Sequence, residues 1–263
     1  MKSILITGGV GDAFAIESLM TDEERQSINR ILYATRAAQP ILQLFENLPS
    51  FPNLKTQAVI WKNFDKIFCF HNKKHITDKL CAYQPNALQE IAKKLMEPVI
   101  DYSIEKIFTE PREYTSSSFV KYKLTDINFA LPTNYYCVCP YSNNDKRNIR
   151  RDYNSNDWDR TLHMLKSRGM YGVVINRGNE FIPENPYLVN LNNKTNIKEA
   201  VEVVKHAQGY IGIDSAFSVI AAKIFPPENI SIKSLNEHCY KFAHIYFKPF
   251  KSFDFLKEQI RGQ

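Results

Sequence analysis

The stretch Tyr210-Ile211-Gly212-Ile213-Asp214-Ser215-Ala216-Phe217-Ser218-Val219-Ile220-Ala221-Ala222 decides the fold. A short apolar run reaches an acid and two small residues, then passes without a linker into a second apolar run long enough for a helix. That is a strand, a tight turn and a helix in succession, the repeating unit of an α/β protein with a parallel sheet. The turn has a chemical consequence. The amides of Ser215, Ala216 and Phe217 open the helix, where backbone N–H groups lack intrahelical acceptors and suit an anion such as a diphosphate. Capping of the helix by Asp214 or Ser215 accounts for the same residues equally well.

The pattern repeats upstream. Asn196 and Glu199 have the spacing of a capping box for a helix ending near His206, with Ile197, Ala200, Val201 and Val204 on its apolar face. Tyr171–Asn176 reads as a buried strand, and Asp157–Arg168 as a helix with Trp158, Leu162 and Leu165 on one stripe. Tyr135–Pro140 is a strand that opens into the polar loop Tyr141–Asn156. In the other half, Ser3–Thr7 is a strand, Gly8-Gly9-Val10-Gly11 a turn, Asp12–Met20 a helix and Thr21–Ile28 a second short helix. Ile31–Ala34, Ala58–Trp61 and Ile67–Phe70 read as strands, with helices over Ala37–Leu48 and Asn86–Met96. Pro98–Asn134 shows no clear period and is read as the end of a first domain and its connection to the second. The expected organisation is therefore α/β, with domains at 1–132 and 133–263. The final helix, Phe253–Ile260, could pack back on the first domain.

Composition narrows the class. At 44% hydrophobic and 24% charged residues the chain of 263 is an ordinary globular sequence. No apolar run approaches the roughly 18–20 residues that span a bilayer. Five cysteines without framework spacing point to a reducing cytoplasm. Cys137 and Cys139 share one face of a strand and read as buried free thiols rather than metal ligands. A net charge of +6 favours an anionic partner: a phosphorylated donor, an acidic glycan, an anionic membrane surface or nucleic acid.

The glycine turn admits several readings. Glycines at the end of a first strand let a backbone approach a ligand closely. A dinucleotide fingerprint on Gly9 and Gly11 would place its third glycine at Phe14, which is too bulky for close helix–strand packing. Arg36 after the second strand keeps an NADP enzyme open. Asp12 sits where a carboxylate is stabilised by the helix dipole, so a cap and a general base are both consistent with its position. Lys146, Arg147, Arg150 and Arg151 crowd a loop beside the expected ligand edge, as a phosphate clamp or as a solvated basic surface. Asp157-Trp158-Asp159 matches an Asp-x-Asp metal motif, but acids at a helix start need no metal.

Taken together and in order, these segments resemble the heptosyltransferases. Gly212-x-Asp214-Ser215 with Ser218, Ala221 and Ala222 is similar to their Gly-x-Asp-(Ser/Thr)-Gly-Pro-Ser-His-Leu-Ala-Ala signature. Ala216, Phe217 and Val219 stand where that signature has glycine, proline and histidine. Asn190-Leu191-x-x-Lys194-Thr195-x-Ile197-x-Glu199 resembles their Asp-Leu-x-Gly-Lys-Thr-x-Leu-x-Glu segment, and Gly9-Val10-Gly11-Asp12 their Gly-(Ile/Leu)-Gly-Asp turn. Pro140 with Lys146-Arg147 before the Trp158 helix is similar to their Lys-Arg-Trp loop, with Asn148 in place of the tryptophan. The resemblance implies a GT-B fold, two Rossmann-like domains facing each other across a cleft.

It also implies an inverting, metal-independent glycosyltransferase with no bound cofactor, the nucleotide-sugar being a co-substrate. Asp12 would be the catalytic base. Gly9, Gly11, Lys146, Arg147, Arg150, Glu180, Asp214, Ser215, Ala216 and Phe217 would hold the donor. The acceptor implied is a surface glycan or lipooligosaccharide. A modified base in DNA is the alternative, favoured by the positive charge and the short first domain. An NADP oxidoreductase and a non-catalytic nucleotide-binding module are the readings from other classes.

Overall fold

A computed structural model describes residues 2–6, 11, 13–14, 17, 20–33, 39–58, 99–101, 118–141, 152–213 and 215–233. The expected strand Ile67–Phe70 and helices Asn86–Met96 and Phe253–Ile260 lie outside them. The chain divides into two compact units, Met1–Ser118 and Phe119–Gln263.

The first unit carries strands β1 (Lys2–Ile6), β2 (Ile28–Tyr33), β3 (Lys55–Ala58) and β4 (Val99–Asp101) in the order β3-β2-β1-β4. Every pairing is parallel. Ala13, Phe14 and Glu17 are helical, within the helix expected over Asp12–Met20, and Gly11, expected in the turn, is helical as well. Helix α1 (Asp22–Ser27) starts at a capping box: Glu24 N donates to Thr21 Oγ1 at 3.1 Å and Thr21 N to Glu24 Oε2 at 2.8 Å. Helix α2 is Gln39–Phe45 and a single turn, α3, is Ser118–Lys121.

Two boundaries differ from expectation. Strand β2 begins at Ile28, because its pairing with β1 already starts at Lys2↔Ile28. Strand β3 begins at Lys55, where the amide and hydroxyl of Thr56 both donate to Glu46 Oε1, at 2.5 and 2.6 Å.

A buried ion pair locks this unit. Glu17 and Arg25 have wholly buried side chains, with Arg25 Nε 3.0 Å from Glu17 Oε1. Further Arg25 nitrogens donate to Glu17 O at 2.9 Å and Asp22 Oδ1 at 2.6 Å, and Ser118 N donates to Glu17 Oε1 at 2.8 Å. One carboxylate therefore holds both Arg25 of α1 and the amide of Ser118. Glu17→Ala would strand a buried guanidinium, and urea denaturation is expected to show a loss of about 3–5 kcal/mol. An unchanged midpoint would mean that Arg25 finds another counter-charge.

The second unit has strands β5 (Tyr135–Cys139), β6 (Tyr171–Val174), β7 (Leu188–Asn190), β8 (Gly209–Ile213) and β9 (Ile230–Lys233) in the order β7-β6-β5-β8-β9, all parallel. Helices α4 (Ser155–Ser167), α5 (Ile197–His206) and α6 (Ala216–Ile224) connect them. Alternation along the strands separates two faces. Tyr136, Val138, Val174, Ile211 and Ile213 form a core with Trp158, Met164 and Leu165 of α4. The opposite face carries Tyr135, whose hydroxyl donates to Val203 O of α5 at 2.7 Å, together with Cys137, Cys139 and Tyr210.

Helix α5 has the capping box expected of it. Lys198 N and Glu199 N donate to Asn196 Oδ1 at 2.9 and 3.0 Å, and Asn196 N to Glu199 Oε2 at 2.8 Å. Helix α4 starts two residues before Asp157, because Asn154 is its N-cap and Asp157 closes that capping box.

Both sheets repeat one rule. The chain builds outward from the first strand of each unit to one side, then returns to build on the other. The place where direction reverses, between β1 and β4 and between β5 and β8, is where open parallel sheets bind ligands, at the carboxyl ends of the strands.

Candidate functional site

The sequence-predicted residues of the second unit follow the strands around its reversal point. Glu180 lies on the loop after β6, and Ser215, Ala216 and Phe217 follow β8, so both segments leave the carboxyl edge of one sheet. Gly9, Asp12, Lys146, Arg147, Arg150 and Asp214 lie outside the described residues. Gly11 is half-buried at the start of the helix that follows β1.

The turn after β8 is built around Gly212. A Cβ at that position would stand 2.4 Å from Cys139 O and 2.8 Å from Tyr210 Oη. The missing side chain lets the buried Tyr210 ring reach past its own strand, where its hydroxyl donates to Ile213 O at 2.9 Å and lies 3.1 Å from Ser215 Oγ. Tyr210 has one proton, spent on the Ile213 carbonyl. The Ser215 hydroxyl proton is therefore shared between Tyr210 Oη and Cys139 Sγ, which is 3.8 Å away.

This arrangement bears on the helix start. Ser215 is the N-cap of α6 and forms a capping box with Ser218. Ser218 Oγ accepts from Ser215 N at 3.0 Å and donates to Ser215 O at 2.6 Å. Ala216 and Phe217, the first two residues of the helix, are half-buried at the strand edge. Amides in a first turn have no intrahelical acceptor.

Cys137 and Cys139 are free, buried thiols. Burial pushes the Cys139 thiol up to about 11, against the opposing hydrogen bond from Ser215, and raises Cys137 as well. Thiolate is the reactive form, so both are expected to stay unmodified when native protein is treated with iodoacetamide at pH 8. Peptide mapping would show them alkylated only after denaturation; rapid native labelling of either would contradict this packing.

The two loops that flank the far side of the edge are clasped by asparagines. Gly178 O accepts from Asn192 Nδ2 at 3.0 Å and Asn193 Nδ2 at 2.7 Å, while Gly178 N donates to Asn193 Oδ1 at 3.0 Å. Asn193 has φ 58°, in the left-handed region. It occupies the position at which the heptosyltransferase pattern Asp-Leu-x-Gly-Lys-Thr has glycine, and asparagine is among the few other residues that visit that region routinely. Glu180 folds back over Gly178, with Oε2 3.4 Å from Asn176 Nδ2.

Tyr153 N donates to Pro140 O at 3.1 Å, and Lys233 Nζ from the end of β9 donates to Asp152 O at 2.7 Å and Asp157 Oδ2 at 2.5 Å. Asp157 Oδ2 also accepts from Asn154 N at 2.9 Å. The Asp-x-Asp pair therefore begins a capped, ion-paired helix. Among the described residues no group of three or more His, Cys, Asp or Glu gathers as a metal would require. Nor is any described helix long and apolar enough to cross a membrane.

Sequence reasoning passed over Tyr210, Lys233 and the asparagine clasp. Only the pair Asn192-Asn193, after an apolar run, carried a signal, since asparagine is a turn residue.

No protein-family model matches the chain and no curated protein matches it in sequence. Solved structures similar to it are glycosyltransferases. One is the iron-containing dodecameric glycosyltransferase TibC from enterotoxigenic E. coli, with TM-score 0.44 and 16% identity over 86% of this chain and 56% of that one. A second is the dodecameric iron-containing heptosyltransferase TibC in complex with ADP-D-beta-D-heptose, with TM-score 0.44 and 15% identity over the same shares. A third is E. coli heptosyltransferase WaaC with ADP, with TM-score 0.48 and 13% identity over 85% of each chain. The chain spans little more than half the length of TibC. Likeness at this level concerns the fold alone.

Proposed function

We propose that the chain is a heptosyltransferase-like glycosyltransferase of GT-B type. In this reading it moves a sugar from a nucleotide-sugar to an acceptor hydroxyl with inversion, without a metal or other cofactor. Residues 133–263 hold the donor and residues 1–132 the acceptor. The observation that carries the reading is the turn after β8. There a glycine-dependent packing seats Ser215 against Tyr210, and the amides of Ala216 and Phe217 begin a helix at the reversal point of a parallel sheet.

The donor diphosphate rests on the amides of Ala216 and Phe217, beside Ser215 and Asp214. Lys146, Arg147 and Arg150 neutralise the charge that grows on the leaving phosphate, and Glu180 contacts the nucleoside. The acceptor oxygen forms its bond to the anomeric carbon as the bond from that carbon to the phosphate oxygen breaks. The nucleoside diphosphate leaves with the electron pair, and Asp12 takes the acceptor's proton. Preorganised donors of this kind contribute on the order of 2–4 kcal/mol each.

The experiment is turnover: release of nucleoside diphosphate from a panel of nucleotide-sugars, with a lipooligosaccharide core or duplex DNA as acceptor. Glycan-dependent release, with Lys146→Ala raising KM for the donor, is the expected result. Activity only with DNA, falling steeply with salt as phosphate contacts release counterions, would move the acceptor to DNA, which the net charge of +6 favours. Reduction of a substrate by NADPH, without sugar transfer, would overturn the reading.

A further inference from the structure

Phe181 is 74% exposed, on the loop that follows β6 and carries Glu180. Its backbone is anchored. The hydroxyl of Tyr141 donates to Phe181 O, and that buried hydroxyl accepts from Trp158 Nε1 at 2.9 Å. The next residue, Ile182, packs against the core formed by Tyr141, Trp158 and Val174. Pro183 follows and holds Ile182 in an extended conformation. Residue 181 is therefore directed outward because residue 182 is directed inward, on a carbonyl fixed to the core. The ring is mounted on this edge.

Its place in the sheet gives the ring a use. The loop follows β6, which pairs with β5, and β5 pairs with β8. At about 4.8 Å per strand spacing, the ends of β6 and β8 stand roughly 10 Å apart, and Phe181, seven residues past the end of β6, is held through its carbonyl to Tyr141, two residues past the end of β5. That span suits a nucleotide lying along the edge, with its phosphates on the turn and its base beyond β5. Glu180, half-buried next to the ring, marks the same loop for a polar contact.

We infer that Phe181 is the stacking platform for the base of the nucleoside diphosphate held by the second unit. This rests on the proposed donor site and adds the residue that recognises the base. Stacking reads the aromatic face and not its hydrogen-bonding edge, so Phe181 supplies affinity for any base while neighbouring polar groups choose among them.

Calorimetry with ADP, UDP and pyrophosphate on the full chain separates the claims. Phe181→Ala is expected to weaken ADP and UDP by roughly 10- to 100-fold and leave pyrophosphate unchanged, with Phe181→Trp restoring the loss. Nucleotide affinity unchanged in Phe181→Ala would overturn the inference and leave the donor site standing. Loss of pyrophosphate affinity as well would assign the ring to loop structure and overturn it too. A parent protein that binds neither nucleotide would overturn both. A change in sedimentation without a change in affinity would make the ring a contact between copies.

Discussion

Gly212→Ala is expected to destabilise the protein by about 3 kcal/mol, the upper end of the usual cost of overpacking, and to weaken donor binding with it. The added methyl group meets the Cys139 carbonyl at 2.4 Å, which is backbone in the neighbouring strand and cannot rotate away. It also meets the Tyr210 hydroxyl at 2.8 Å, so relief requires moving the ring that holds Ser215 Oγ. Gly169→Ala is the contrast. At Gly169 a Cβ meets nothing within 4 Å, and φ of +63° leaves only the left-handed penalty of about 1–2 kcal/mol. Chemical denaturation of the two variants side by side measures the difference. Equal losses would mean that the Tyr210–Ser215 packing does not depend on the missing side chain.

Asp12→Asn is expected to lower kcat by roughly 10²- to 10⁴-fold, the range over which a general base contributes, while the dissociation constant of the nucleoside diphosphate stays within about twofold. The substitution keeps the size of the side chain and its ability to cap a helix. It removes only the capacity to accept a proton. A cap alone would survive the change, so the ratio of the two effects separates the roles that position on the chain leaves open. Normal turnover by Asp12→Asn would assign the residue to the helix start.

Much of the second unit was legible because local chemistry and tertiary structure agree there. Asn196 and Glu199 form a capping box at the spacing that announces one, and β8 ends at Ile213 with α6 following from Ala216, as the two apolar runs predict. The strands β4, β7 and β9 were missed for a common reason. Each has three or four residues, too few to show a period, and each is a strand because a neighbour offers a parallel ladder. Ile230–Lys233 is defined by its register with Tyr210–Ile213.

The site was legible as a set of turns and not as a packing. That Gly212 is glycine because Tyr210 crosses it follows from the register Cys139↔Gly212, which no local window of sequence contains. Lys233 meets Asp157 over a separation of 76 residues. The left-handed backbone of Asn193 is likewise set by the loop it closes, and asparagine is among the few residues besides glycine that visit that region.

The most direct test is thermal unfolding of the unmodified chain with millimolar ADP, UDP, GDP or CDP, each against orthophosphate at the same ionic strength. A diphosphate at 100 times its dissociation constant adds roughly 2.7 kcal/mol, so at least one nucleotide is expected to raise Tm by several degrees where orthophosphate does not. The same melting temperature with every nucleotide as with orthophosphate would contradict a nucleoside diphosphate site at the carboxyl edge of the second sheet.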